Sequence, residues 1–266
     1  HHEDGFNADE AVRLKPERTL MRRLAFPAAS AVVVPSGTLE DIALKTWKQP
    51  LSRIHRIPNG IQTARYAVKP KPNAIPGLRK KAGEIVIGTV AGLRPVKNLP
   101  RLVEAALMIP GTRLVIIGEG PEKDAIAAKA REMGVFQRLV MPGFLPDPHR
   151  YIGLFDIFAL SSDSEQFPIA LVEAMAAGLP VATTHVGDVA VILPPEQLPL
   201  VTECDEYALA AALRQLVADK TLRAKLGAAN QALATAAYDE TAMVASYARL
   251  YDSVLGNTVH FASGTL

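Results

Sequence analysis

Short apolar runs alternate with longer amphipathic stretches along most of this chain. "ASAVVVPS", residues 29–36, has the valine run of a buried strand, and "GTLEDIALKTW" after it reads as a helix. "RIHRIPNGI" then leads into "ARYAVKPKPNAIPGL", whose proline and lysine content predicts a linker or surface loop. Beyond it the alternation tightens. "EIVIGTVAG", "TRLVIIGEG", "RLVMPGF", "DIFALSS" and "LPVATT" have the length and composition of strands. Between them "NLPRLVEAALMI", "PEKDAIAAKAREM", a short "HRYIGLF" and "PIALVEAMAAG" read as helices. The last third, "DEYALAAALRQLVADKTLRAKLGAANQAL" and "DETAMVASYARLYDSVL", is helical by its apolar spacing. Strands alternating with helices of this length predict an α/β fold, a parallel sheet with helices on both faces and a helical C-terminus.

Bulk properties narrow the partners more than the fold. The 266 residues fit one large or two small domains, and 49% of them are hydrophobic, enough for a core. Twenty-nine Lys and Arg against 27 Asp and Glu leave +2, without the basic footprint of a nucleic-acid binder. The single cysteine, Cys204, excludes an internal disulfide framework and fits a reducing, cytoplasmic setting. No apolar run reaches the length of a membrane span. The chain opens on "HHEDGF" without Met, from which a missing N-terminal segment is expected.

In a parallel sheet, ligands collect beyond the carboxyl ends of the strands. Three loops are expected on that edge: "AGLRPVKN", "GEGPEK" and "SSDSEQFP". The first offers Arg94 and Lys97 beside a helix that Asn98 caps, either cations suited to a diphosphate at a helix N-terminus or two solvated surface charges. The second, with Gly118, is a weak Gly-x-Gly signal that a tight turn also explains. The third holds Glu165, and Glu173 follows on the next helix. With that helix starting near Phe167 or Pro168, Glu173 lies about 7–8 Å along its axis. Two acceptor-only carboxylates with amide donors between them complement a ligand with hydroxyls at both ends and a diphosphate in the middle, as in a nucleotide sugar.

The stretch from Glu165 to Glu173 resembles the E-x7-E motif of retaining glycosyltransferases of the GT-B fold, glycosyltransferase family 4. "SEQFPIALVEAMAAGLPV" is similar to that family's signature throughout. "IPNGI", "GLRPVKNLPRLVEA", "LVIIGEGP" and "MPGFLPD" follow the family's order and spacing. The likeness covers residues 54–255, the donor-binding half. It implies a Rossmann-like donor domain over residues 59–237, after the tail of an acceptor domain at 1–58, with 238–266 as a C-terminal helix crossing back. It implies that Glu165 binds hydroxyls of the donor sugar and Glu173 the ribose. Lys97 matches a phosphate-binding lysine, and the backbone of Gln166, Phe167, Pro168 and Ile169 lies near sugar and phosphates. Leu145 stands where the backbone reads the base, and Gly118 falls within the "GEGP" motif. Catalysis then falls to Lys97, Arg94 and Glu165, on a nucleotide sugar with UDP or GDP as carrier and no cofactor. A glycan or lipid-linked acceptor and no metal are implied as well.

Three departures bear on the donor. Gly92 stands where the family carries a phosphate-binding arginine, so that Arg94 is the candidate substitute. Gln166 replaces a glycine after the first Glu, and Gln62 an acidic residue after "NGI". "RLKPERTLMRRLAF", Arg13 to Phe26, is basic and amphipathic, either an ordinary domain helix or a segment that lies on anionic membrane. "HHED" lacks further ligands at metal-binding spacing, and His55, His149, His185 and His260 have no nearby acid at catalytic spacing. Two rival readings share the fold: a sugar-nucleotide epimerase and a non-catalytic nucleotide-sugar-binding module.

Overall fold

The computed structural model describes residues 1–3 and 14–256; Asp4 of "HHED", Arg13 and His260 lie outside them. The chain divides into two compact units, one of His1–Ile61 with the stretch from Ala237 onward, the other of Gln62–Ala236.

The smaller unit contains α1 (Pro16–Ala25), β1 (Val32–Val34), α2 (Gly37–Lys45) and β2 (Ile54–Arg56), with β1 and β2 paired in parallel. Ser36 caps α2 by accepting from the amide of Leu39 at 3.1 Å, which places the helix start where the sequence turns from valine to glycine. Helix α1 opens on Pro16, whose missing N–H costs nothing in a first turn, and leaves Leu20, Met21 and Leu24 exposed.

The larger unit runs α3 (Thr63–Tyr66), β3 (Ile85–Val90), α4 (Leu99–Leu107), β4 (Thr112–Ile117), α5 (Lys123–Glu132) and β5 (Leu139–Gly143). It continues through β6 (Ile157–Leu160), α6 (Ile169–Ala176), β7 (Val181–Thr184), α7 (Val189–Ile192), β8 (Val201–Thr202), α8 (Glu206–Ala218) and α9 (Lys220–Ala237). Its six strands form one parallel sheet in the order β5-β4-β3-β6-β7-β8. Strand β4 is buried along its whole length, as expected of an apolar run covered on both faces. Ile87, Leu114, Ile116, Ile157 and Ala159 pack with residues of α4, α5 and α8 in one core. Strand order reverses between β3 and β6, so the chain leaves these neighbouring strands toward opposite sides and opens a crevice at their carboxyl ends. The smaller unit also holds α10 (Glu240–Leu255), whose Leu250, Met243 and Tyr247 pack against Ala31, Val33 and Ile57.

Two segments differ from the sequence pattern. "HRYIGLF" is not a helix but two 3-10 turns, Pro148–Arg150 and Ile152–Leu154, separated at Tyr151. The buried Tyr151 adopts φ −144°, outside the helical range, which interrupts the run. The proline- and lysine-rich stretch after "NGI" is mostly the surface loop its composition predicts, but not a plain linker. It starts with α3, buries Ile75 to 2% exposure and ties Lys80 to Asp156 at 2.6 Å.

The middle of the sheet leaves no room over β3. A Cβ on Gly88 would lie 2.2 Å from the ring of Phe155, which packs over the middle of that strand. Gly88→Ala is therefore expected to cost about 3 kcal/mol through overpacking. The check is a urea melt, with the midpoint lowered and its slope unchanged.

Candidate functional site

The site is built from the loops that follow β3 and β6. After β3 the backbone stays locked to its neighbour: Ala91 N–H donates to Ile117 O at 3.0 Å and Leu93 N–H to Glu119 O at 2.9 Å. Gly118, at φ +144°, makes this approach feasible, because a Cβ there would lie 1.9 Å from Ala91 O. The glycine of "GEGP" thus serves loop against loop. A 3-10 turn, Pro95–Lys97, then delivers Asn98 at φ 41°, and its side chain accepts from the amide of Arg101 at 3.4 Å to cap α4. Asn tolerates this left-handed backbone better than most residues.

The loop after β6 lies directly against this one. Ser161 Oγ donates to Lys97 O at 2.9 Å, Asp163 N–H to Val96 O at 2.8 Å, and Arg101 to both Ser161 O and Asp163 at 2.9 and 2.7 Å. Thr184 at the end of β7 donates to Ser162 O at 2.6 Å, and Gly187 lies so close to Glu165 O that a Cβ would stand 1.9 Å away. Four polypeptide segments therefore hold Glu165 in place.

Glu165 is 9% exposed, and both of its recorded partners meet one oxygen: Lys97 Nζ and Ser162 Oγ each donate to Oε1 at 2.6 Å. Among the described residues Oε2 accepts no hydrogen bond. Glu173, fifth residue of α6, has the same asymmetry: Tyr66 Oη donates to its Oε1 at 2.5 Å, and Oε2 is without a partner among the described residues. Burial pushes the Glu173 carboxyl above the usual carboxylate range, and the Tyr66 hydrogen bond pulls it back down. Burial, with Glu173 adding to it, likewise raises the phenols of Tyr66 and Tyr151, which therefore stay protonated donors.

Helix α6 begins at Ile169 with Pro168 as its flanking residue, so Phe167 and Pro168 belong to the loop rather than to the helix. Among the described residues no side chain caps this N-terminus, which leaves its first-turn donors and the positive dipole end directed out of the helix. Arg94 is exposed. Its Nε is the nearest neighbour, at 3.7 Å, of the place a Cβ on Gly92 would occupy, so the guanidinium lies beside position 92 itself. Gln166 Oε1 is buried and has no hydrogen-bond partner among the described residues.

A cavity of about 460 Å³ adjoins these loops and brings Gly92, Gly118 and Leu145 together with Ala91, Phe144 and Tyr151. Tyr151 Oη donates to Leu145 O at 3.1 Å, which fixes the cavity wall at Leu145. Of the other histidines, His149 touches Arg65 and Tyr66 at the margin of this region. Among the described residues no group of three or more His, Cys, Asp or Glu is arranged to hold a metal ion, and no helix is long and apolar enough to cross a membrane.

Residues 70–233 match the family model described as glycosyl transferases group 1. The chain belongs to this family. It is 28% identical over 158 residues to the lipopolysaccharide core biosynthesis glycosyltransferase LpsE of Rhizobium meliloti, a match that covers 59% of this chain and 46% of that protein. Its fold is similar to that of sucrose-phosphate synthase from Thermosynechococcus elongatus, with a TM-score of 0.82 at 24% identity over 94% of this chain and 64% of the other. Anabaena HepE, solved in complex with UDP, has a TM-score of 0.76 at 23% identity, covering 92% and 70%. The chain spans about half the length of the curated relatives it matches. Its six-stranded parallel sheet and terminal helices are those of a GT-B glycosyltransferase of group 1.

Three partners of the candidate residues escaped sequence reasoning. Ser162 sits three positions before Glu165, a spacing visible in "SSDSE", yet nothing local says which serine turns inward. Tyr66 lies 107 residues from Glu173, and Tyr151 was read as part of a helix. Only the folded sheet brings those rings to the site.

The raised Glu173 carboxyl has a stability consequence. A carboxyl whose pKa is higher folded than unfolded costs stability as pH climbs from the unfolded value through the folded one. Glu173→Gln, which keeps an acceptor for Tyr66, is expected to raise Tm at pH 7 by about 2 °C. The gain should shrink as pH is lowered and the wild-type carboxyl takes up its proton, as a Tm-versus-pH series would show.

Proposed function

We propose that this chain is the donor-binding half of a retaining glycosyltransferase that moves a sugar from a UDP- or GDP-sugar to a glycan or lipid-linked acceptor. The observation that carries the reading is the pair of carboxylates, each anchored through one oxygen and open at the other, with cations and an uncapped helix N-terminus in the same loop system. A carboxylate only accepts hydrogen bonds, so two of them suit hydroxyl-bearing groups at the two ends of a ligand. Glu165 takes the sugar end and Glu173 the ribose. The backbone of Phe167, Pro168 and Ile169 faces sugar and diphosphate. Gln166, with its orphaned Oε1, is suited to accept from a donor-sugar hydroxyl, which would relieve the cost of a buried unpaired acceptor. The cavity at Gly92, Gly118 and Leu145 takes the base. The UDP bound in the HepE structure supports a uridine carrier.

In the chemical step the bond from the anomeric carbon to the diphosphate oxygen breaks while the acceptor hydroxyl oxygen bonds to that carbon on the same face. The hydroxyl proton passes to the leaving diphosphate, on which negative charge grows as the bond breaks. Lys97, Arg94 and the N-terminus of α6 supply positive potential where that charge develops. Arg94, beside position 92, fills the role of the arginine that Gly92 lacks. With that counter-charge drawn from the chain itself, we infer a metal-independent transfer. Glu165 holds Lys97 through Oε1 while Oε2 is left for the sugar, so the pair orients both ends of the breaking bond.

We assign acceptor recognition to the domain whose tail is residues 1–58, and a cytoplasmic site of action in keeping with the lone Cys204. A lipid-linked acceptor would bring the enzyme to a membrane face, and α1, with Leu20, Met21 and Leu24 exposed, is the segment we assign to peripheral contact.

The test is a thermal-shift titration with UDP, GDP, ADP and dTDP. A nucleotide at 100 times its dissociation constant should add about 2.7 kcal/mol to a two-state unit. One nucleotide is expected to stabilise the chain, with the shift lost in Glu173→Ala and weakened in Lys97→Ala. No stabilisation by any of the four at millimolar concentration would sink the reading.

A further inference from the structure

Tyr66 belongs to none of the motifs that carry the family resemblance, yet it makes the shortest contact to either carboxylate. It closes the four-residue helix α3, and its hydroxyl reaches Glu173 Oε1 at 2.5 Å across 107 residues of sequence. Its ring is braced edge-on by His149, with centroids 6.0 Å apart and planes at 75°. Among the described residues no other hydrogen bond and no ion pair reaches the Glu173 carboxylate.

We propose that Tyr66 is the positioning residue for the ribose-facing carboxylate: its phenol pins Glu173 Oε1 and so presents Oε2 to the vicinal diol of the bound nucleoside. The proposal rests on the reading of Glu173 as the ribose acceptor.

A glutamate on a helix has three side-chain torsions, and one short charge-assisted bond to a braced phenol removes most of that freedom before the ligand arrives. The phenol can only help if it donates, and its burial keeps the proton in place. It also favours the charged form of a carboxyl that burial would otherwise neutralise, and a diol needs an acceptor there. The surrounding charges offer no substitute. Beside it on α3, the Arg65 guanidinium is engaged by Gln62 Oε1 at 3.2 Å and His149 Nε2 at 3.1 Å. Arg150 pairs with Asp147 at 3.5 Å, and Tyr151 donates to Leu145 O. His149 itself is held below its usual pKa by burial and by Arg65, so it stays neutral near pH 7. Helix α6 brings no second titratable group in "IALVEAMA". Two tyrosines thus divide the nucleoside between them, Tyr66 bracing the carboxylate and Tyr151 the loop at Leu145.

The experiment is calorimetric titration of the full 266-residue chain and its Tyr66→Phe variant with UDP and 2′-deoxy-UDP, and with GDP and 2′-deoxy-GDP, from pH 6 to pH 8. Phe keeps the ring and removes only the donor. Ribonucleotide affinity is expected to fall about tenfold at pH 7, the usual scale for a hydrogen bond to a charged group, while the 2′-deoxy form changes little. The remaining affinity should decline on acidification from a higher pH than in the wild type, because Glu173 without its donor protonates more readily. Glu173→Gln should show the same loss of ribose discrimination, and adding Tyr66→Phe to it should cost little more. Equal weakening of both nucleotides, or discrimination kept in Tyr66→Phe, would overturn the role of Tyr66. Wild-type protein that binds ribo- and deoxynucleotides alike, or neither, would instead remove the ribose reading of Glu173 and the proposal with it.

Discussion

The site depends on the seam between the loop after β3 and the loop after β6. Parallel strands leave the sheet edge in one direction, and reversal of strand order puts these two loops side by side without any other element between them. The seam is closed by main-chain and side-chain bonds from Ser161, Asp163 and Arg101, with the carbonyls of Val96 and Lys97 in the first loop accepting from the second. Such loops carry many backbone polar groups that burial would leave unpaired. Pairing them with one another lets the loops be rigid enough to aim Lys97 at Glu165.

Rigidity here stops short of saturation. Among the described residues, Glu165 and Glu173 are each satisfied at one oxygen, Gln166 holds a buried acceptor without a donor, and α6 starts without a side-chain cap. A core assembled for stability alone would pair these groups or replace them, since each unmade bond costs free energy. Open acceptors and an uncapped helix N-terminus in one loop system are the groups on which the donor-site proposal rests. The raised pKa of Glu173 expresses the same tension, a charge held where the protein would rather have none.

Close packing of backbone sets the shape around these groups. Gly118 and Gly187 lie where a methyl would strike a carbonyl of the adjoining loop, and Gly88 where it would strike Phe155. Gly92 differs: space is open there except for Arg94. The same residue type therefore marks structural necessity at three positions and open space beside Arg94 at the fourth. Sequence inspection alone had no way to separate them.

What the amino-acid sequence determined by itself was local in origin. Apolar runs of strand length and helices with amphipathic spacing foretold the alternation, and hence the parallel sheet, because each depends on the burial of neighbouring residues. The short-range order around Glu165 and Glu173 was equally legible, since both lie in one loop-helix segment. The tertiary structure alone decided which residues answer them. Lys97 and Ser162 converge on one oxygen of Glu165, and Tyr66 on Glu173, across separations of 68, 3 and 107 residues. Tyr66 was hidden in a stretch whose proline and lysine content reads as linker, and Tyr151 in one that reads as helix. Periodicity reports which face of an element is buried, but it carries no information about which distant side chain meets that face. That depends on strand order, and strand order is a property of the whole sheet.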